Sequence, residues 1–396
     1  MGVSKKVRGF MEQGSWIRRM FEEGIALKQQ FGEDNVFDLS LGNPVMEPPD
    51  EFFAELRRIA DNPTPGMHRY MPNAGYPETR AAVASQLREE TGLDFTEREI
   101  VMACGAGGAL NVALKTLMDP GDEIVILAPY FVEYHFYADN HGGSCRVVPP
   151  GADFLPDMQA LESAISAKTR AVLVNSPNNP TGVVYTAEVL AAMAEVIRRK
   201  EREHGGEIFL LSDEPYRRIL FDGIEYPHIF SHHLHSIVAT SHSKDLALPG
   251  ERIGYLAVNP DYEGRAELVD GLTFCTRTLG FVNAPALMQH IARNLQSVTI
   301  DVAQYQAKRD FLYRELTAMG YEMVKPQGAF YMFPRSPIED DPAFVAELQQ
   351  HNVLVVPGRG FGMPGYFRIS YCVADRTLEG SLPGFRKAIE RCGSHG

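Results

Sequence analysis

The sequence contains no apolar run close to the roughly 18 residues that a membrane-spanning helix needs. It also has no excess of basic residues, since 38 lysines and arginines stand against 51 aspartates and glutamates, for a formal net charge of -13. An acidic chain is a poor match for the phosphate backbone of nucleic acid or for an anionic membrane surface. We therefore expect neither nucleic acid nor membrane as a partner.

Cysteine is scarce, and its pattern does not indicate disulfides or a metal site. The chain has five cysteines in 396 residues, an odd number, and none of them forms a CxxC pair. Scattered cysteines in a chain of this length are typical of reduced thiols in a cytosolic protein. The opening residues MGVSKK are not followed by the apolar core of a signal peptide. The sequence thus predicts a cytoplasmic location.

The pattern of apolar residues predicts an α/β protein with two domains. The chain is longer than one ordinary hydrophobic core, so two domains are the first expectation. Between residues 100 and 258 short apolar segments alternate with amphipathic segments, which favours a mostly parallel sheet with helices on both faces. After residue 260 the predicted helices are longer and the strands shorter, which indicates a smaller α+β domain. We expect an N-terminal arm that joins the small domain at 1–45, a large ligand-binding domain at 46–283, and a small C-terminal domain at 284–396.

Local patterns predict three further details of this architecture. We expect a turn at Gly105–Gly108, a helix at Tyr262–Leu272, and one long helix at Ala284–Met319.

Polar motifs follow four of the predicted strands. The carboxyl ends of parallel strands meet at one edge of a sheet, where ligands of such folds bind. We therefore expect these motifs to converge, although each alone also fits an ordinary turn. They are Cys104–Ala109, Asn175–Gly182, Ser212–Tyr216, and Ser241–Lys244 followed by Arg252.

The residue types in these motifs suit a phosphorylated carbonyl cofactor. Backbone N–H groups at the start of a helix, hydroxyl groups and an arginine are the groups that bind phosphate. A lysine such as Lys244 forms a Schiff base with a carbonyl group if its amine is partly deprotonated. A carboxylate such as Asp213 either caps the next segment or pairs with a protonated ring nitrogen. Pyridoxal phosphate requires this whole set of groups.

A cluster of histidines, His228, His232, His233 and His235, raises the alternative of a metal site. The segment 228–235 itself contains no cysteine or carboxylate, and its position before a strand is typical of an exposed connector. We therefore predict no metal site.

The motifs together resemble the class I/II aminotransferases, which are pyridoxal-phosphate enzymes of fold type I. The resemblance covers nearly the whole chain. It implies a seven-stranded, mostly parallel sheet, pyridoxal 5'-phosphate as cofactor, amino acid and 2-oxo acid substrates, and a homodimer with shared active sites. The segments that carry the resemblance are Ser40–Pro44, Tyr70, Asn73–Pro77, Asn179–Gly182, Asp213–Tyr216, Ser243–Lys244 and Phe367–Ser370.

The resemblance also implies roles at the cofactor ring. Lys244 is expected to form the Schiff base and to move protons, with Asp213 on the ring nitrogen. Asn179 and Tyr216 are expected to hydrogen-bond the phenolic oxygen, and Phe131 to stack on the ring.

Further roles concern the phosphate and the substrate. Tyr70 is expected to reach the cofactor phosphate of the partner subunit. The phosphate site implied within the chain consists of Ala106, Gly107, Ser241, Ser243 and Arg252. The implied substrate contacts are Arg368 on the α-carboxylate, Gly42, Asn179, and Arg277 on a side-chain carboxylate.

The substrate and the reaction keep alternatives at this stage. Thr276–Gly280 is more similar to tyrosine-type aminotransferases, and the turn at Gly107–Ala109 lacks a lysine that some bacterial aspartate enzymes carry, so strict dicarboxylate specificity is not predicted. A carbon–sulfur β-lyase on the same fold is the second enzyme hypothesis. The effector domain of a transcription regulator is the non-enzyme hypothesis, but residues 1–45 show no helix-turn-helix pattern.

Overall fold

The computed structural model describes residues 2–13 and 16–393, so the outer limits predicted for the first and last domains lie outside the described residues. No helix in this part of the chain is both long and apolar enough to cross a membrane. Twelve strands are described: β1 Phe37–Asp38, β2 Ile100–Ala103, β3 Glu123–Leu127, β4 Ser144–Val148, β5 Thr169–Asn175, β6 Phe209–Asp213, β7 Ser236–Ser241, β8 Gly254–Val258, β9 Tyr331–Met332, β10 Val353–Leu354, β11 Val356–Pro357 and β12 Phe367–Ser370.

The helices lie mainly between these strands and after the last strand of the central sheet. The described helices are α1 Lys5–Gln13, α2 Trp16–Phe31, α3 Asp50–Asp61, α4 Pro77–Thr91, α5 Gly105–Leu117, α6 Glu133–Asn140, α7 Met158–Ala164, α8 Ala187–His204, α9 Arg265–Thr278, α10 Ala286–Ala292, α11 Val302–Ala318, α12 Asp341–Gln349 and α13 Asp375–Gly393.

Seven strands form the central sheet, in the order β2-β8-β7-β6-β5-β3-β4. Strand β8 runs antiparallel to both of its neighbours, and the pairs from β7 to β4 are parallel. Both faces are buried: in β5, Val172 and Val174 belong to one hydrophobic core, whereas Ala171 and Leu173 belong to the other. The predicted α/β class, with a seven-stranded and mostly parallel sheet, is confirmed.

Two small sheets lie outside the central one. Strand β1 pairs with β10 in parallel, which joins the N-terminal residues to the C-terminal part of the chain. Strands β11, β12 and β9 form an antiparallel sheet. The division at residues 46 and 284 remains a prediction, and this separation of the strands is in line with it.

Three sequence predictions of local structure were wrong. The expected turn at Gly105–Gly108 is the first turn of α5. Its glycines leave room for close neighbours, since a Cβ on Gly107 would lie 3.0 Å from the Tyr137 hydroxyl. The helix expected at Tyr262–Leu272 begins later and ends later, at Arg265–Thr278. The expected long helix Ala284–Met319 is two helices, since Asp301 caps the start of α11 through a 3.1 Å bond from the backbone N–H of Ala303.

The histidine segment is not the exposed connector that the sequence predicted. His233 is buried, and Glu201 of α8 supplies the carboxylate that the local sequence lacks. Nδ1 of His235 lies 2.5 Å from Oε1 of Glu201, and Nε2 of His233 lies 3.0 Å from the backbone oxygen of Ile208. Glu201 also accepts the Ile208 N–H at 2.9 Å. These bonds tie the end of α8 to the amino-terminal ends of β6 and β7.

Candidate active site

A cavity of about 340 Å³ lies at the edge of the central sheet where the parallel strands end. It brings together twelve of the residues that the sequence predicted for the site. Those residues are Gly42, Ala106, Gly107, Phe131, Asn179, Asp213, Tyr216, Ser241, Ser243, Lys244, Arg252 and Arg368.

A larger cavity, of about 560 Å³, lies in the C-terminal part of the chain beside Tyr321, Ser336 and Tyr366. Its described lining contains no lysine or histidine, and its charged residues include the well-exposed Glu322 and Arg335. We therefore assign the chemistry to the smaller cavity, where buried charged groups converge.

Lys244 follows β7 and extends its amine into the cavity. Its Nζ donates a 2.6 Å hydrogen bond to the backbone oxygen of Gly42. Burial, aided by the nearby charges of Arg368 and Arg252, lowers the pKa of Lys244 to about 8. A lysine with such a pKa is partly neutral near pH 7, which is the state in which an amine attacks a carbonyl group.

Asp213 ends β6 and has one oxygen free for a ligand. Its Oδ2 accepts a 2.7 Å hydrogen bond from the Tyr134 hydroxyl, whereas its buried Oδ1 has no hydrogen-bond partner in the described part of the chain. Burial raises the pKa of Asp213 to about 7, and the bond from Tyr134 opposes this shift. A positively charged ring N–H placed against Oδ1 would complete its bonding and lower the pKa again. The carboxylate therefore fits the pyridine nitrogen of pyridoxal phosphate.

The other end of the cavity suits a phosphate group. Helix α5 begins there with Gly105, whose φ is +71°, and a Cβ at this position would lie 2.7 Å from Nη2 of Arg252. Glycine thus lets the guanidinium approach the start of the helix, where backbone N–H groups attract anions. Ser241 and Ser243 line the same cavity and add hydroxyl donors.

Arg368 lies on β12 and is held from several sides. Its Nη1 donates to Oδ1 of Asn179 at 3.0 Å, and its Nη2 donates to the backbone oxygen of Ser40 at 2.6 Å. The guanidinium carbon lies 4.6 Å from the centre of the Tyr331 ring and 4.8 Å from that of Phe361. Its buried Nε has no partner among the described residues. A fixed guanidinium with a remaining N–H donor fits a carboxylate ligand.

Several residues of the cavity were missed by sequence reasoning. Tyr134 holds Asp213, and its position three residues after the predicted Phe131 was the available signal. Asn175 had been placed in a motif without a role. It accepts the backbone N–H of Asn179 at 2.7 Å and donates to the backbone oxygen of Asp213 at 2.8 Å, so it joins the ends of β5 and β6. Tyr137 and Tyr331 also line the cavity, and nothing local in the sequence distinguishes them from core residues.

Two predicted residues do not line the cavity of their own chain. Tyr70 is 90% exposed, beside an open surface cleft that includes Met71 and Phe281. Arg277 is exposed at the end of α9, with its guanidinium carbon 5.3 Å from the centre of the Phe274 ring. The resemblance assigns Tyr70 to the site of a partner subunit, and the roles of both residues stay predictions.

The fold agrees with that of known aminotransferases. A solved amino transferase from Eubacterium rectale superposes with a TM-score of 0.95, at 37% sequence identity and over 99% of each chain. The profile of the family "aminotransferase class I and II" matches residues 34–381. The chain therefore belongs to the class I and II aminotransferases.

Named relatives indicate the reaction. An aspartate/prephenate aminotransferase from Thermus thermophilus is 34% identical over 98% of this chain and 99% of its own. An aromatic-amino-acid aminotransferase from Thermococcus litoralis is 30% identical over 96% of this chain and 97% of its own. The protein is thus a pyridoxal-phosphate-dependent enzyme that transfers an amino group between an α-amino acid and a 2-oxo acid. Nothing in these relatives favours the carbon–sulfur lyase.

Proposed function

We propose that Lys244 binds the cofactor and then moves the proton of the reaction. When bound, pyridoxal phosphate supplies an aldehyde for the lysine and a ring that accepts the electrons released at the substrate Cα. The observation that supports this role is the position of Lys244, with its lowered pKa, in the same cavity as the unpartnered Oδ1 of Asp213. Once the substrate amine has replaced it, Lys244 is a free base that takes the proton from Cα.

The other residues of the cavity hold the ring and the phosphate. Asp213 keeps the ring nitrogen protonated, and Tyr134 keeps Asp213 in place. Asn179 and Tyr216 bind the phenolic oxygen, and Phe131 stacks on the ring. The proposed phosphate site consists of Ala106, Gly107, Ser241, Ser243 and Arg252.

Arg368 is proposed to bind the α-carboxylate of the substrate. Its contacts with Asn179 and Ser40 fix the plane of the guanidinium, so little motion is lost when a carboxylate binds. Gly42, which lines the same cavity, leaves room for the hydroxyl of Tyr331, because a Cβ at this position would overlap it.

Two copies of the chain are proposed to complete each site. Tyr70 and Phe274 are large aromatic residues with 90% and 56% of their surface exposed. Exposed aromatic side chains of this size are enriched where proteins associate. In this dimer Tyr70 reaches the cofactor phosphate of the partner subunit, and Arg277 enters the partner's substrate pocket.

The cationic residues of the cavity support a proposal about the amino donor. Three such residues line it within the described chain, namely Lys244, Arg252 and Arg368, and each already has a role. Among the described residues that line the cavity, no further cation is left for a second carboxylate. We propose that aromatic and other neutral amino acids bind within one chain, beside its tyrosines, and that dicarboxylic amino acids depend on Arg277 of the partner.

A donor screen with 2-oxoglutarate as acceptor tests this proposal. Replacing Arg277 by alanine should lower kcat/KM for aspartate by about tenfold or more, because a carboxylate loses a charged partner, and should leave the value for tyrosine within about twofold. Arg314→Ala is the matched control, since Arg314 is a 67% exposed arginine on α11. Equal losses for aspartate and tyrosine would contradict the role of Arg277. Pyruvate release from cystathionine without an acceptor would contradict transamination as the main reaction.

We also propose the domain division at residues 46 and 284 and a cytoplasmic location. The division is supported by the separate small sheets, and the location by the five cysteines, none of which is disulfide-bonded in the structure.

A further inference from the structure

Tyr331 links the carboxylate-binding and cofactor-binding parts of the cavity. It lies on β9, paired with Ser370 of β12, two residues from Arg368 in the sequence of that strand. Its side chain is 2% exposed, so its hydroxyl can be satisfied only by neighbouring protein groups or by a ligand in the cavity.

The hydroxyl of Tyr331 lies 2.9 Å from the hydroxyl of Tyr216. A tyrosine hydroxyl has one proton to donate. If Tyr216 donates its proton into the cavity, as its proposed role requires, Tyr331 must be the donor in the bond between the two phenols. Hydrogen bonds in such a chain strengthen one another in a buried site.

The ring of Tyr331 makes a second, separate contact. The guanidinium of Arg368 lies over it, with 4.6 Å from the guanidinium carbon to the ring centre. A cation over an aromatic ring is held by the negative face of the ring, most strongly when both are buried. Arg368 is also buried, which makes this contact one of the supports that fix its position.

We propose that Tyr331 is a positioning residue with two separable contributions. Its ring orients Arg368 for the substrate carboxylate. Its hydroxyl donates to Tyr216 and so strengthens the hydrogen bond that Tyr216 gives to the phenolic oxygen of the cofactor. This inference rests on the roles proposed above for Tyr216 and Arg368. Tyr331 itself need not touch any reacting atom.

The hydroxyl contribution is tested by Tyr331→Phe, which keeps the ring and its packing. The phenolic oxygen then receives a weaker hydrogen bond and retains more negative charge, which favours the protonated form of the adjacent lysine linkage. The midpoint of the pH titration of the visible absorbance should rise by about half a pH unit, while KM for the amino donor stays within about twofold. An unchanged midpoint would overturn this contribution.

The ring contribution is tested by Tyr331→Leu, compared with Tyr331→Phe. Loss of the ring removes the surface under Arg368, so KM for the donor, and the dissociation constant of an unreactive carboxylic acid such as maleate, should rise about tenfold. If Tyr331→Leu binds the acid as tightly as Tyr331→Phe does, the ring does not position Arg368.

Tyr305→Phe is the matched control. Tyr305 is a buried tyrosine whose ring centre lies 5.4 Å from that of Phe330, the neighbour of Tyr331, but it does not line the cavity, and its hydroxyl has no partner among the described residues. Its loss should change neither the titration midpoint nor KM. A wild-type enzyme without a lysine-bound absorbance would overturn the proposed function itself. A normal wild-type titration that Tyr331→Phe leaves unaltered would overturn only the inference about Tyr331.

Discussion

Asp213 shows how a single hydrogen bond adjusts the charge of a buried carboxylate. Burial raises its pKa to about 7 even though the hydrogen bond from Tyr134 opposes the shift, so without that bond the protonated fraction near neutral pH would be larger still. The hydroxyl of Tyr134 donates to Oδ2 at 2.7 Å and favours the charged form. Tyr134 thereby supports the negative charge that the proposed ring-nitrogen contact requires.

Replacing Tyr134 by phenylalanine should therefore raise the pKa of Asp213 and weaken its hold on the ring nitrogen. We expect the rate of the first half-reaction to fall by about tenfold to a hundredfold, since a hydrogen bond to a charged group is lost. Single-turnover kinetics with a saturating amino donor measure this rate. Tyr130→Phe is the control, because Tyr130 precedes the same helix but does not line the cavity. Equal effects of the two substitutions would contradict the role given to Tyr134.

At the scale of elements, helix α8 is fastened to the central sheet by an ion pair. His235, just before β7, lies between Glu201 of α8 and Glu207, with Nδ1 2.5 Å from the first and Nε2 3.5 Å from the second. The hydrogen bond to Glu201 raises the pKa of His235 above its ordinary value of 6.5. The neighbouring His233 has a lowered pKa, mainly because it is buried.

The stability that this pair contributes should depend on pH. Because the pKa of His235 is higher in the folded than in the unfolded state, the contribution is fully present below pH 6.5 and is lost as the pH rises through the folded pKa. The difference in unfolding free energy between the wild type and His235→Gln should thus be larger at pH 6 than at pH 8.5, by about 1 kcal/mol. Urea unfolding at the two pH values measures it. A difference that is constant or grows with pH would contradict the charged pair.

Elements whose sequence pattern is regular were predictable, and those shaped by close packing were not. The alternation of apolar strands and amphipathic helices predicted the central sheet, because both faces of every parallel strand must be buried. Helix α5 was mistaken for a turn at its start because Gly105, Gly107 and Gly108 are poor helix formers by themselves. A Cβ at these three positions would meet Arg252, Tyr137 and Cys104, respectively. Arg252 and Tyr137 are far away in the sequence, and nothing in the local pattern marks Cys104 as a close neighbour.

For the whole molecule, the site is the meeting point of segments far apart in the sequence. Gly42, Lys244 and Arg368 come from three regions of the chain, yet Lys244 bonds to Gly42 and lines one cavity with Arg368. The sequence predicted these residues because their motifs resemble a known family. It could not predict Tyr331, whose role depends on contacts made only in the folded chain. The roles of Tyr70 and Arg277 depend on a second copy.

The central claim is that Lys244 binds the cofactor, and trapping the lysine linkage by borohydride reduction tests it most directly. In the wild type, reduction should attach the cofactor covalently to the peptide that contains Lys244. The Lys244→Ala variant should lose both this attachment and the visible absorbance of the lysine-bound cofactor. The control is Lys115→Ala, which changes an exposed lysine of α5 and should retain both. A borohydride-stable adduct on another lysine of the Lys244→Ala variant, with the absorbance retained, would contradict the account.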